Sequence, residues 1–508
     1  MTVVLIITLI LLITGVVLVT KNNKMEAIKY DELILSLELK IINVIPVFKT
    51  IEEDLNTKIY LVGGCIRDAI RNDLVSNDID IVIALSDLTK LSSWLDSNGV
   101  SSAINQKKGF QTLTFNIDGT SIDATLIKGD TIEDDAKHRD FCCNAIYVDT
   151  NGAIYDPTYR GLSDIENKLI HLTNGTVTLD EDPLRILRAV RFEATKGFKI
   201  DGETCKILKS IKKRSFKDEV AVERIQIELR KIFVESFDGK DVVSAINRMK
   251  EFGILIYILP EFDEIWGYEQ DSKYHEWTLE GHCLRVLEKA FDYATEILSS
   301  VEDREIICLA ALLHDIAKPE TRSWDKKKNV AHYIGHEKAS AAISKKILER
   351  LKYSKEIVEK TCFIIEHHMD IKQLKNDEGN FRAKPAKFIS VVENFKSKKY
   401  GNLIYQCCCL IKADDLSHST KLTTSNVDSF LERYEQGDPK ESLKPFKFDG
   451  DVIAEKLSIS EGPELGEAIK KLNLLRYKYP ELSDVDEFVR IYKSMTEDDW
   501  KDYLKTIN

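Results

Sequence analysis

The sequence predicts a small α+β head with a mixed sheet, followed by a long succession of all-α domains. Three observations predict this. Between residue 60 and about residue 156, apolar runs alternate with short helical stretches and turn residues. Beyond about residue 161 the pattern becomes helical, and ILRAVRFEATKGF, VERIQIELRKIFVESF and AISKKILERLKY place apolar residues three and four apart. The chain has 508 residues, 43% of them hydrophobic, enough for several cores and too long for one.

Charged residues make up 31% of the chain and aromatic ones 8%, an ordinary globular mixture. The net charge of -12 disfavours indiscriminate binding of polyanions and leaves room for a local basic surface. Ten cysteines occur singly or as Cys142-Cys143 and Cys407-Cys408-Cys409, never as C-x-x-C. That usage argues against a cysteine zinc site and reads as reduced, buried small hydrophobes in a reducing, cytoplasmic setting.

Taken in order, residues 1–24 come first. Residues 2–20 carry no charge and are rich in Val, Ile and Leu. About 20 helical residues cover roughly 30 Å of hydrocarbon, so this stretch is expected to be a membrane-spanning helix. Lys21 and Lys24 follow it, which would leave the catalytic bulk of the chain on the cytoplasmic side. The equal alternative is an over-long start, with a protein that begins at Met25. The head is expected over residues 25–160 and a helical neck over 161–260, ending near Pro260. A histidine-rich domain over 261–425 and a helical tail over 426–508 complete the chain.

In the head, YLVGGCIRDAIRNDLVSNDIDIVIA occupies residues 60–84. On a strand, residues two apart share a face, so Asp78 and Asp80 are expected to project together while Ile79 enters the core. Like charges that close are costly without a cation between them, and Mg2+ accepts carboxylate oxygens alongside substrate phosphates. Alone, D-x-D reads better as a solvated strand start at the turn-forming Asn77-Asp78. Gly63 and Gly64 change that balance: they lie between a strand and a helix start, where backbone amides attract phosphate, with Arg67 in the first turn. A phosphate seat followed by a carboxylate pair is hardware for nucleotidyl transfer. Asp123, in the alternating TSIDATLI, is the candidate third acid.

Residues 60–237, and again the chain from 446 onward, resemble the class II tRNA nucleotidyltransferase and poly(A) polymerase family. Four motifs in order carry the resemblance: LVGGCIRD with DID, HRDFCCNA, EDPLRILRAVRF and AVERIQIEL. It implies a polymerase-β-like head, a helical neck, and a body and tail that hold the acceptor end of tRNA, with CTP and ATP as substrates. It further implies that Asp78 and Asp80 hold Mg2+ and that Asp123 helps activate the primer 3′-hydroxyl. Gly63, Gly64, Arg67, Asp68 and Arg139 would contact the nucleotide, and Asp140 and Asn144 would surround the ribose. Asp182 and Arg185 would read the base edge, a carboxylate accepting and a guanidinium donating. Arg188 and Arg191 would reach the triphosphate.

Two departures from the family pattern stand out. His138-Arg139 replaces a double arginine, and only residues 124–138 separate Asp123 from Arg139. Members that add C, C and A carry a longer loop there, so the short one resembles the CC-adding subgroup. Addition of C is therefore expected, with A left open. The alternatives are a poly(A) polymerase-like RNA tailing enzyme and a phosphohydrolase with a non-catalytic RNA-binding head.

Residues 275–418 hold eight of the ten histidines. His282, His314-Asp315, His336, His367-His368 and Asp414 form a series that can converge on one or two metals, and imidazole with carboxylate suits Mn, Fe, Ni or Mg. GHCLRVLEKA, LAALLHDIAKP, YIGHEKAS, IIEHHM and KADD resemble the HD phosphohydrolase superfamily. The resemblance implies metal-assisted attack of water on phosphate esters, with His282, His314, Asp315 and Asp414 as core ligands. His336 and His367 or His368 would be further ligands or phosphate contacts. His138, His171, His275, His332 and His418 are read as ordinary structural residues. Finally, KPFKFDGDVIAEKLSISEGPELGEAIKKL resembles the tail element of the nucleotidyltransferases, through Gly462, Pro463 and Gly466 with Lys470 and Lys471 nearby. The basic residues 209–217 are a second candidate contact for RNA phosphates.

Overall fold

A computed structural model describes residues 16–21, 24–29, 44–71, 78–107, 110–210, 216, 219–270, 276–298, 300–327, 329–371, 387–419, 425–436, 448–460, 462–479, 482 and 484–507. The chain forms two compact units, one of residues 1–221 with 251–254 and one of 222–250 with 255–508. Most of the basic stretch 209–217, and His275, lie outside the described residues.

The first unit is built on a seven-stranded mixed sheet. Its strands are β3 (Ile59–Val62), β4 (Asp78–Ile83), β5 (Ser102–Lys107), β6 (Phe110–Ile117), β7 (Thr120–Leu126), β8 (Tyr147–Asp149) and β9 (Ile154–Tyr155), in the spatial order β5-β6-β7-β4-β3-β8-β9. β4 and β7 run parallel and every other adjacent pair runs antiparallel. The central strands are apolar where they are covered: Leu61, Val62, Ile81, Val82 and Ile83 are all buried. Helix α1 (Val44–Leu55) buries Val44, Phe48 and Ile51 at three-to-four spacing. Helix α2 (Gly64–Ile70) follows β3 directly, and α3 (Leu88–Ser97) starts where Asp87 accepts a hydrogen bond from the Thr89 amide.

The expected membrane helix is not what these residues form where they are described. Residues 16–20 belong to strand β1 (Val16–Lys21), which pairs antiparallel with β2 (Lys24–Lys29); residues 2–15 lie outside the described residues. The run Val16-Val17-Leu18-Val19-Thr20, β-branched at four of its five positions, suits an extended chain as well as an apolar helix, and hydropathy alone does not separate the two. Among the described residues, no helix is long and apolar enough to cross a membrane.

Beyond the sheet, α4 (Ile132–Lys137), α5 (Gly161–Asn167), α6 (Gly175–Glu181), α7 (Arg185–Lys196) and α8 (Gly202–Ser210) complete the first unit, with β10 (Leu169–Ile170) and β11 (Lys199–Ile200) pairing parallel. Helix α7 buries Ile186, Leu187, Ala189, Val190 and Phe192, and ends at Gly197 with a left-handed φ of 66°. That apolar stripe leaves Arg185 and Arg188 on a less buried side.

The second unit is helical. It contains α9 (Val222–Glu235), α10 (Gly239–Glu251, whose last residue falls to the first unit), α11 (Leu279–Ile297), α12 (Val301–Leu313), the short α13 (Lys318–Thr321), α14 (His336–Arg350), α15 (Lys355–Glu366), α16 (Ile404–Asp415) and α17 (Asn426–Glu435). A small hairpin of β12 (Ser323–Asp325) and β13 (Val330–His332) interrupts it. Helix α12 is buried along its whole length from Glu305 to Leu313, so the residues at its end open into the interior. Helices α18 (Gly450–Leu457), α19 (Pro463–Lys478), α20 (Val485–Ser494) and α21 (Glu497–Ile507) share a core of Ile453, Leu472, Leu475, Phe488 and Trp500. Gly462, with φ of 149°, and Pro463 open α19, and the ammonium of Lys471 lies 5.5 Å from the centre of the Trp500 ring.

Candidate active sites

In the head, alternation along β4 does what the period of a strand dictates: Asp78 and Asp80 are exposed while Ile79 between them is buried. The parallel register pairs Asp80 with Asp123 on β7, so the third carboxylate stands on the same face. Thr114 on β6, the register partner of Asp123, donates to its Oδ1 at 2.6 Å. Gly63 caps the N-terminus of α2 with φ of 86°, and a Cβ there would sit 3.0 Å from Asp80 Oδ2. Only glycine takes that backbone and leaves that carboxylate its place. Although the Asp80 residue is open to solvent, the protein crowded around its carboxyl costs it solvation and pushes it above the ordinary range; Asp123 and Asp78 add to the push, while Arg139 and Arg188 oppose it. Three carboxylates on one face, with Asp80 raised in this way, favour a bound cation.

Behind this face lies a chain of polar contacts. Arg67 is buried, donates from Nε to Asp68 Oδ1 and from NH1 to Asn144 Oδ1 at 2.7 Å, and stacks its guanidinium 4.8 Å from the Phe192 ring centre. Asn144 in turn donates to Asp140 Oδ1 at 3.0 Å, and Arg188 pairs with Asp140 Oδ2 at 2.6 Å. Burial would raise the Asp140 carboxyl, but Arg188, the Asn144 amide and Arg185 win and bring it down to about 2. Arg67 and Asp68 are thus framing groups, whereas Arg188 ties that frame to the acid face.

Arg139 donates from Nε to both Asp135 Oδ2 and the Tyr147 hydroxyl, each at 3.0 Å. Asp135 also accepts from the Lys128 amide and the Tyr147 hydroxyl, so the short segment 124–138 is pinned to the sheet through α4. Arg185 donates from NH1 to the Thr178 carbonyl and from NH2 to the His138 carbonyl, and just before α7 Asp182 accepts from the Leu184 amide. Each terminal nitrogen of Arg185 keeps a second hydrogen. His138 bonds Glu181 through Nδ1, and Arg191 is buried with its guanidinium 4.7 Å from the Phe192 ring centre.

The second site forms where five helices end or pass. His282 lies in α11, His314 and Asp315 at the end of α12, His336 at the start of α14, His368 after α15 and Asp414 in α16. Asp315 joins them. Its Oδ2 lies 3.4 Å from His282 Nε2 and 3.1 Å from His314 Nε2, and its Oδ1 3.2 Å from His336 Nε2 and 3.9 Å from His368 Nε2. Asp414 Oδ1 lies 3.1 Å from His282 Nε2. The residues fall into four groups of three, each with its ligand atoms within 4.8 Å of one another.

Three of the histidines share one orientation. Nδ1 of His314, His336 and His368 each meets a backbone carbonyl three residues earlier, Ala311, Tyr333 and Ile365, at 2.7–2.9 Å. A donated Nδ1 hydrogen leaves the Nε2 lone pair facing the cluster, the arrangement that metal-ligating imidazoles adopt. Although burial works the other way, His314 and Lys318 hold the Asp315 carboxyl far below the ordinary range. Buried carboxylates and imidazoles, with no cysteine among them, fit a divalent cation.

Two readings of this site change. His367 is not in the cluster: its Nδ1 bonds Asp370 Oδ2 at 2.8 Å and its ring lies against Phe363. One more residue of chain turns the next side chain by about 100°, which carries His368 inward in its stead. His418, read as structural, lies 3.4 Å from Asp414 Oδ1 and stacks on His282 with ring centres 5.0 Å apart. Its spacing of four from Asp414 was the available signal. Lys318, three residues after Asp315, was also overlooked; its Nζ lies 2.7 Å from Asp315 Oδ2 and 2.9 Å from Gln270 Oε1.

Three family models match successive stretches of the chain. Residues 59–171 match the family model "Poly A polymerase head domain", 197–265 "Probable RNA and SrmB- binding site of polymerase A" and 279–417 "HD domain". A Multifunctional CCA protein of Actinobacillus pleuropneumoniae is 29% identical over 330 residues, 61% of this chain and 75% of the relative. One of Shewanella frigidimarina is 28% identical over 395 residues, 73% of this chain and 90% of the relative. Among solved structures, a Thermotoga maritima CCA-adding enzyme complexed with tRNA superposes with a TM-score of 0.57 at 20% identity, over 91% of this chain and 97% of the other. A CCA-adding enzyme in complex with ATP does so with a TM-score of 0.60 at 19% identity, over 92% and 98%. At such identity the likeness is one of fold: a polymerase-β-like head followed by helical domains.

Proposed function

We propose, from the premise that this chain belongs to the class II tRNA nucleotidyltransferase and poly(A) polymerase family and carries an HD domain, that it adds cytidylate, and adenylate where its pocket admits it, to the 3′ end of tRNA. The observation that carries this reading is the common face of Asp78, Asp80 and Asp123 beside Gly63. Asp78 and Asp80 would hold Mg2+, which when bound neutralises triphosphate charge. Asp123, steadied by Thr114 at Oδ1, takes the proton of the tRNA 3′-hydroxyl. That oxygen bonds to the α-phosphorus of the nucleotide as the bond to pyrophosphate breaks.

Asp140 and Asn144 face the ribose, and Arg188 and Arg139 balance the triphosphate. Arg185, anchored by two carbonyls, and Asp182 present donors and an acceptor to the base edge. The anchoring of residues 124–138 by Asp135 supports a pocket of fixed shape, which favours C over A. The test is incubation with tRNA lacking its terminal CCA, with CTP and ATP, followed by sequencing of the 3′ ends. Ends in CC identify the CC-adding form and ends in CCA the full activity. Long adenylate tails on unrelated primers would instead support a tailing enzyme.

The HD site supports a second activity, hydrolysis of phosphate esters. His282, His314, Asp315 and Asp414 would hold a divalent metal such as Mn, Ni, Fe or Mg, with His336 and His368 able to hold a second. A metal bound there activates water against phosphorus. Release of phosphate from p-nitrophenyl phosphate by the metal-loaded protein, lost in Asp315→Ala, tests it.

A further inference from the structure

Residues 319–335 leave the histidine cluster and return to it. On one side Lys318 Nζ lies 2.7 Å from Asp315 Oδ2, and on the other His336 Nε2 lies 3.2 Å from Asp315 Oδ1. Between these two feet the chain makes α13 and the β12–β13 hairpin. The hairpin is therefore rooted at both ends on one carboxylate. Its paired strands are three residues long, about 10 Å.

Its composition runs against the acidic total of the protein. Arg322, Lys326 and Lys327 are all exposed. Trp324 is 44% exposed, with the Arg322 guanidinium 5.5 Å from its ring centre, although its cross-strand partner Ala331 is buried. Ile334, two residues before His336, is 85% exposed. The one acid of the hairpin, Asp325, is spent on the turn, where it accepts from the Lys327 amide at 2.9 Å. The cluster is open at the hairpin's far foot, where the His336 side chain is 9% exposed, and at His418, which is 16% exposed, against 0% for His282 and His314. Aromatic faces interleaved with cations, beside a site that fits phosphate esters, match single-stranded nucleic acid, whose bases stack and whose backbone takes positive charge.

We infer that the β12–β13 hairpin is a contact for single-stranded RNA, with a base stacked on Trp324 and backbone phosphates on Arg322, Lys326 and Lys327, and that it presents a 3′-terminal phosphate ester to the Asp315 cluster. The presentation step rests on the hydrolase reading above; the contact does not.

Two measurements separate these. In the first, a 5′-fluorescein tetranucleotide carrying a 3′-phosphate is bound to the full chain, read by anisotropy, which needs no hydrolysis. Trp324→Ala, and separately the pair Lys326→Ala and Lys327→Ala, should each weaken binding about tenfold, the size of one lost base stack or of two lost phosphate contacts. In the second, hydrolysis of that tetranucleotide is compared with hydrolysis of p-nitrophenyl phosphate in the metal-loaded protein. The ratio of the two kcat/KM values should fall about tenfold in Trp324→Ala, through KM. Binding that depends on Trp324 without any hydrolysis overturns the hydrolase reading and supports the contact. Hydrolysis and binding that are both indifferent to Trp324 and to the two lysines overturn the contact.

Discussion

Asp80 and Asp123 are register partners on parallel strands β4 and β7, and Gly63 stands so close that a Cβ on it would meet Asp80 Oδ2 at 3.0 Å. The three positions make one device: two strands aim the acids and a glycine leaves them room. Gly63→Ala should therefore do double damage. Its backbone, at φ 86° and ψ -144°, is nearly closed to other residues and costs about 1–3 kcal/mol. Thermal unfolding reads that loss, and CTP incorporation should fall further than the stability change explains.

The Arg188–Asp140 pair predicts a different signature. Asp140→Asn keeps the shape and loses the charge that balances Arg188 at 2.6 Å. The KM for CTP should rise about tenfold, as expected for a charged hydrogen bond lost at a binding site, with a smaller change in kcat. Steady-state kinetics with a fixed tRNA checks this.

In the HD site the adjacent histidines give a sharp contrast. His368→Ala should lower divalent-metal affinity by at least about tenfold, whereas His367→Ala should leave it unchanged, since His367 turns toward Asp370. Metal stripped by a chelator and titrated back by calorimetry reads both variants. Equal losses would contradict the placement.

Glu305 predicts a pH dependence of stability. It is fully buried on α12, with Arg230 Nε 3.5 Å away, and burial raises its carboxyl from 4.5 to about 7. The folded state thus holds a proton that the unfolded state releases, and stability falls as pH rises from about 4.5 to about 7. Glu305→Gln should remove that slope and be the more stable protein at pH 8. Urea unfolding at pH 5 and pH 8 decides it.

Much of the head was legible because its signals are local. The alternation of Asp78, Ile79 and Asp80 follows from strand period alone, and the glycines mark the turn before α2. The interior placement of Arg67, held by Asn144 and Phe192, was not legible: its partners come from distant segments that only the folded chain assembles. In the second site, spacing identified the histidine series, but the phase at the end of α15 decides between His367 and His368. No pattern of one helix reveals that phase. At the N-terminus hydropathy pointed to a helix where residues 16–20 form a strand, because a run rich in Val and Leu serves either state and its pairing partner decides.

The most direct measurement compares CTP incorporation into tRNA lacking its CCA end by the unaltered protein and by Asp78→Ala and Asp80→Ala, with p-nitrophenyl phosphate hydrolysis followed alongside. Loss of either acid should lower incorporation by about a thousandfold or more, the scale of removing a metal ligand from phosphoryl transfer, and leave hydrolysis intact. Undiminished incorporation in both variants, or no incorporation by the unaltered chain, would contradict the assignment of this carboxylate face to nucleotidyl transfer.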